Sequence, residues 1–384
     1  MNNFKTIIFI ILFISLNVSC KSKQEKKYSN YPVSIEKTFY GVTKDNQDVY
    51  QFTLRNKNGM EINIITYGGI ITKWTAEDRF KHFNDIVLGY NNLNQYESSS
   101  PYFGAIVGRY GNRISKGKFT LNNQAYFLTT NDNENHLHGG FKGFDKVIWE
   151  AQIIKHDSIA SLELNYLSKD MEEGYPGNLD TTVIYTLNNE DELTINYEAK
   201  TDKTTIVNLT QHSYFNLSGN FNNNILNHEL VINADSFIPV DTSLIPFGEI
   251  RKVIGTPFDF TKRKKIGKEI NNDDQQIKNG KGYDHCWVLN DQGKDMRFVG
   301  SVYEEKSGRF LEIFSTEPGV QFYSGNFLDG TLKSKTNGTY DFRSGFCLET
   351  QHYPDSPNQP TFPSVVLLPG DIYKSKTIYR LSSK

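Results

Sequence analysis

The chain reads as an all-β protein, a large antiparallel β-sandwich. Three observations lead there. Segments of four to seven residues with β-strand composition, some cleanly alternating, run through its length. Turn compositions rich in Asn and Gly separate many of them. Helix start and stop signals are scarce, and no repeat of fixed period points to a propeller. No Pro/Gly/Ser-rich linker interrupts residues 30–384, so a single domain over 31–384 is the simplest organisation.

The elements follow in chain order. Val49 to Leu54 and Glu61 to Ile65 flank Asn56-Lys57-Asn58-Gly59, a hairpin composition. Lys118 to Leu121 and Ala125 to Leu128 flank Asn122-Asn123-Gln124. Leu162 to Leu167 alternates cleanly. Thr182 to Leu187 and Glu192 to Glu198 flank Asn188 to Asp191. Arg309 to Ser315 and Val320 to Tyr323 flank Pro318-Gly319, which reads as a further hairpin.

The N-terminus carries a different signal. A short positive start is followed by Thr6 to Val18, 13 residues without a charge. That run is too short to span a bilayer comfortably and fits the apolar region of an export signal. It ends at Ser19-Cys20, so residues 1–19 resemble a bacterial lipoprotein signal with Cys20 as the lipidated residue. Residues 20–30, with Lys21 to Lys27 strongly polar, read as a flexible tether. The expectation is an exported protein, lipid-anchored on a periplasm-facing outer membrane, and monomeric.

Lys and Arg number 42 against 44 Asp and Glu, a net charge of −2, so there is no electrostatic footprint for nucleic acid. Beyond Cys20 two cysteines remain. Cys286 lies two residues from Asp284, and Cys347 two from Glu349, which in strands puts each thiol on its acid's face. An oxidising compartment permits a disulfide between them; two buried free thiols are the favoured expectation.

The chemistry-bearing residues fall in clusters: Asn135-His136-Leu137-His138-Gly139-Gly140, Asn208-Leu209-Thr210-Gln211-His212-Ser213-Tyr214, Tyr283-Asp284-His285 and Leu348-Glu349-Thr350-Gln351. A carboxylate and an imidazole are a natural pair for moving protons near neutral pH. Gly108-Arg109-Tyr110-Gly111-Asn112-Arg113 adds two guanidinium groups, fixed forks for an oxygen-rich ligand. Arg113 is expected in the site and Arg109 in a supporting role. The His136-x-His138 spacing also suits a metal, with His212, His285, Asp284 and Glu349 as further donors. In the alternative, one of the two is a site histidine and the other a bland surface one.

Together these residues resemble the aldose 1-epimerases, the galactose mutarotases. The resemblance runs from about Phe39 to Leu381. Its motifs are Gly108-Arg109-x-x-Asn112-Arg113-Ile114, Asn135-x-Leu137-His138-Gly139-Gly140, Gly143-Phe144-Asp145-Lys146, Asn208-Leu209-Thr210-x-His212-Ser213-Tyr214-Phe215-Asn216-Leu217, Tyr283-Asp284-His285 and Leu348-Glu349-Thr350-Gln351. Pro354-Asp355-x-Pro357-Asn358 and Leu368-Pro369-Gly370 also fit. The resemblance implies a galactose mutarotase-like supersandwich with an open cleft. It implies Glu349 as general base and His212 as general acid. Asn112, Arg113, His138 and Asp284 would bind the sugar, with Tyr214 lining the site.

The implied reaction opens an aldose ring such as glucose or galactose, turns C1 and closes the ring on the other anomer. It needs no redox cofactor, and no metal is assigned; the sequence leaves open a structural calcium ion on a loop. Three other readings compete: a hexose-6-phosphate epimerase, a non-catalytic sugar-binding lipoprotein, and a metal-dependent sugar enzyme using His136 and His138. The implied partner is a small aldose alone, with the membrane touched only through the anchor.

Overall fold

The computed structural model describes residues 31–293 and 295–384. The expected signal, and the tether with Cys20, lie outside the described residues. Among the described residues the α-helices are Leu93–Ser99 and Gln275–Gly280, each about two turns or less. No described helix is long and apolar enough to cross a membrane. The rest is mainly antiparallel sheet, as expected.

Three large sheets carry the architecture. The first is a five-stranded meander of Ser34–Val42, Asp48–Arg55, Glu61–Ile65, Ile71–Glu77 and Phe83–Asp85. The second has nine strands in the order Glu150–Ile154, Ala160–Ser168, Leu179–Leu187, Glu192–Thr201, Tyr373–Ser383, Arg309–Ser315, Arg297–Tyr303, Glu229–Ile232 and Lys264–Lys265. Its strands alternate in burial, as a half-covered sheet must; Leu179, Thr181, Val183, Tyr185 and Leu187 all face inward. Trp74, on the first sheet, packs edge-on to Tyr379 of the second at 5.7 Å and to Phe215 at 5.6 Å, which joins the layers.

The Asn-led turns act through their side chains. Asn56 Oδ1 accepts from the Asn58 and Met60 amides, and Asn188 Oδ1 from those of Glu190 and Glu192. Each closes the hairpin expected there.

Arg309–Ser315 and Gly319–Tyr323 are not a hairpin. Ser315 pairs with Arg297 and Thr377 in the nine-stranded sheet, whereas Gly319 pairs with Val288 and Gln351 in another. Thr316 to Pro318 carries the chain between sheets. The buried Glu317 accepts from His352 there at 2.6 Å, and Pro318 brings no amide to a ladder.

The third sheet runs Arg251–Lys252, Ser236–Ile238, Asp284–Val288, Gly319–Tyr323 and Cys347–Gln351. Its register sets the functional face. Asp284, Tyr323 and Cys347 stand in one row, and Cys286, Gln321 and Glu349 in the next. Period two puts all six side chains on one face. The opposite face sends His285, Trp287 and Phe322 into a cluster with Phe258 and Tyr283. A close-packed aromatic bed therefore backs the polar face.

Candidate active site

Glu349 rises from the third sheet, and His212 meets it from a separate segment. Thr210–Gln211 pairs with Ile106–Val107, and His212 is tied by its backbone to Ala105 and Gly104. This brings His212 Nε2 to 3.5 Å from Glu349 Oε2. Both side chains are almost fully covered, at 5% and 2% exposure. Glu349 Oε2 has no hydrogen-bond partner in the protein, an orphaned acceptor of the kind folded proteins keep for a purpose.

The Asn112–Arg113 segment and His138 interlock. Leu137 pairs with Arg113, the His138 amide donates to Asn112 O, and the Asn112 amide donates to His138 Nδ1 at 3.1 Å. With Nδ1 accepting, neutral His138 carries its proton on Nε2. Its ring lies 5.1 Å from that of His212. Arg113 donates from Nε to Asp132 at 2.8 Å. Asp355 accepts from the Ser115 amide at 2.9 Å, and its own amide donates to Arg113 O, so the Pro354-Asp355 motif braces this segment. Asp284 accepts from Gln321 Nε2 at 2.7 Å.

Other residues take structural places. Arg109 is buried and donates to Ser168 and to the carbonyls of Pro176 and Gly177, the supporting role expected of it. His136 is fully buried, not a surface histidine. Its Nδ1–H donates to Thr129 O and its Nε2 accepts from Tyr175 Oη, both at 2.6 Å. The strand ends at Leu137 and His138 takes φ +51°, so the two rings do not share a face. His285 points to the opposite face of its sheet, toward Gln276. Cys286 and Cys347 are free buried thiols with a strand between them. Two strand spacings, about 10 Å, exceed what a disulfide spans.

The structure adds residues that sequence reasoning missed. Tyr102 packs 4.6 Å from the His138 ring and stacks on His212 at 5.7 Å. Nothing in its loop sequence marks it. Gln321 stands between Asp284 and Glu349, and its Oε1 is buried without a partner. A polar side chain inside Val320-Gln321-Phe322-Tyr323 was the available signal. Tyr214 stacks on His212 at 5.0 Å, so it supports the imidazole. A groove of about 570 Å³ lies elsewhere, over the nine-stranded sheet at Asn196, Glu198 and Lys374, and lacks this chemistry.

The aldose 1-epimerase family profile matches residues 50–380. The chain belongs to the aldose 1-epimerase family. It is 47% identical over 334 residues to galactose mutarotase of Bos taurus, covering 87% of this chain and 94% of that one. It is 36% identical over 338 residues to aldose 1-epimerase of Escherichia coli K12, covering 88% and 96%. The solved galactose 1-epimerase of Lactobacillus acidophilus superposes with a TM-score of 0.79 at 30% identity, covering 91% of this chain and 99% of that one. The protein is thus an isomerase, a mutarotase acting on aldoses, on a galactose mutarotase fold.

In this epimerase His138, His212 and Glu349 bring donor atoms within 4.8 Å of one another, a spacing that invites a metal. The hydrogen bond from Asn112 argues otherwise, because it leaves His138 Nε2 protonated and without a lone pair to give. Nor does the site suit a phosphate dianion: Arg113 is paired with Asp132, and Lys146 with Asp145 at 2.6 Å. Burial, with Asp284 nearby, holds the Glu349 carboxyl well above the usual range, and the Arg113 charge works against this. Burial alone pushes His212 down to about 4. Burial likewise raises Asp284 and lowers His138. The cluster therefore favours neutral groups, with the one proton of the Glu349–His212 pair on Glu349.

Proposed function

We propose that Glu349 is the general base and His212 the general acid of mutarotation. The observation that carries this is their approach to 3.5 Å on a buried face. The C1 hydroxyl and the ring oxygen are bonded to the same carbon, so acid and base must lie close together. Glu349 takes the C1 hydroxyl proton while His212 Nε2 gives one to O5; the C1–O5 bond breaks and the aldehyde forms. Rotation about C1–C2 presents the other carbonyl face, and the two transfers run in reverse.

Burial alone leaves the shared proton on Glu349. The hydroxyl donors of a bound sugar and the Arg113 guanidinium favour the carboxylate, which passes the proton to His212. His138 Nε2–H, Arg113 and Asn112 hold ring and hydroxyl oxygens, and Asp284 grips hydroxyl protons. These protein groups suffice without a cofactor. Polarimetry of freshly dissolved α-D-glucose and α-D-galactose tests the roles: faster decay to the same final rotation, lost in Glu349→Gln, is expected. An unimpaired Glu349→Gln enzyme sinks the assignment.

We infer further that the enzyme is exported and lipid-anchored. Residues 1–19 are a lipoprotein signal, Cys20 carries the lipid, residues 20–30 are the tether, and the 31–384 domain works as a monomer on a periplasm-facing outer membrane. The apolar run ending at Ser19-Cys20 supports it. Cys20→Ala moves the protein out of the membrane fraction; unprocessed wild type in the cytosol overturns it.

A further inference from the structure

We propose that Cys347 is a positioning residue for His212: its sulfur accepts from Nδ1–H and so reserves Nε2 for the proton that moves. Sγ lies 3.5 Å from His212 Nδ1, in a site where Cys347 has no solvent exposure. Cys347 stands two residues before Glu349 on one strand, with both side chains on the same face. That strand therefore meets both imidazole nitrogens, sulfur at Nδ1 and carboxyl oxygen at Nε2.

The aromatic neighbours cannot do this. Tyr102 and Tyr214 stack on His212 with interplanar angles of 26° and 23°, which fixes the ring plane. A half-turn of the ring in that plane preserves both stacks. It would put a carbon against Cys347 and another against Glu349, and abolish proton transfer. The sulfur distinguishes the two orientations, because a ring N–H is a donor and a ring C–H is not.

The chemistry of sulfur also suits the role. Burial, with Glu349 and Asp284 close by, keeps Cys347 a neutral thiol. A neutral sulfur is a weak acceptor, so it orients Nδ1–H without holding the imidazolium charged as a carboxylate would. His212 thereby keeps Nδ1 protonated throughout, and Nε2 alternates between donor and acceptor.

This rests on His212 as the acid, and the test separates the two. Cys347→Ser keeps a small acceptor at the position; Cys347→Ala removes it. Nitrogen-15 NMR of the His212 ring reads the tautomer without any turnover. The Nδ1–H form is expected in the wild type and in Cys347→Ser, and a mixture in Cys347→Ala. Polarimetric kcat is expected to fall about tenfold in Cys347→Ala with KM within about twofold, and to recover in Cys347→Ser. A wild-type Nε2–H tautomer overturns the proposal. So does an unchanged kcat in Cys347→Ala, or an equal loss of kcat and melting temperature in both variants. Full activity in His212→Gln would instead overturn the acid assignment while leaving the tautomer result standing.

Discussion

At the scale of single residues, the site works through hydrogen bonds that decide where protons sit. The Asn112 amide makes His138 an Nε2–H donor, and Glu349 keeps an unpartnered oxygen beside His212. Glu349→Gln preserves shape and hydrogen bonding but cannot take a proton. Its kcat should fall about 10²–10⁴-fold, the usual worth of a general base, with KM little changed. A fall in kcat/KM through KM alone would recast Glu349 as a binding group. Asn112, His138 and Tyr102 all hold positive φ, at 64°, 51° and 65°. Such backbone is costly for residues with a Cβ, and at these three positions it is borne beside the site.

At the scale of elements, the second glycine-bearing motif shows what loop geometry demands. Gly139 holds φ +88°, and a Cβ there would lie 1.8 Å from Gly108 O. A backbone oxygen cannot swing aside as a side chain can. Gly139→Ala should cost more than about 2 kcal/mol of stability, through strain and displacement of its neighbour His138. Urea unfolding would measure it, and an unchanged midpoint would show that the loop yields. The long alternating strands and the Asn-led turns were legible, because alternation and turn chemistry are local properties of the chain. The failed hairpin at Pro318-Gly319 shows the limit: a turn signal reports a change of direction, not which sheet the chain enters next. His136 and His138 part for a similar reason, since a two-residue strand followed by a left-handed residue does not keep period two.

At the scale of the whole molecule, the interior holds several neutral histidines, which links stability to pH. Burial takes His136 and His212 down to about 4 and His285 to about 3, against an unfolded value near 6.5. Between those values the unfolded chain binds more protons, so this stability is complete above about pH 6.5 and is lost as pH falls toward 4. Glu349, Asp284, Asp145 and Asp355, all raised by burial, act in the opposite sense and offset part of the loss. Unfolding midpoints should fall from pH 6.5 to 4.5, and fall less steeply in His285→Gln, whose ring lies on the far face of the site sheet. An identical slope in that variant would remove His285 from the account.

The amino-acid sequence by itself determined the all-β class, about a third of the strands and most of the turns named between them, because these follow from local periodicity and turn chemistry. Its ordered motifs also named the residues that meet in the site. Only the tertiary structure decided how they meet. Glu349 approaches His212 because strand register and a separate backbone bridge bring positions 137 residues apart in the chain to 3.5 Å. The tautomer of His138, the sulfur against His212, and the placing of Tyr102 and Gln321 likewise arise from long-range pairing. Such contacts leave no periodic trace in the chain, since they depend on which strands become neighbours.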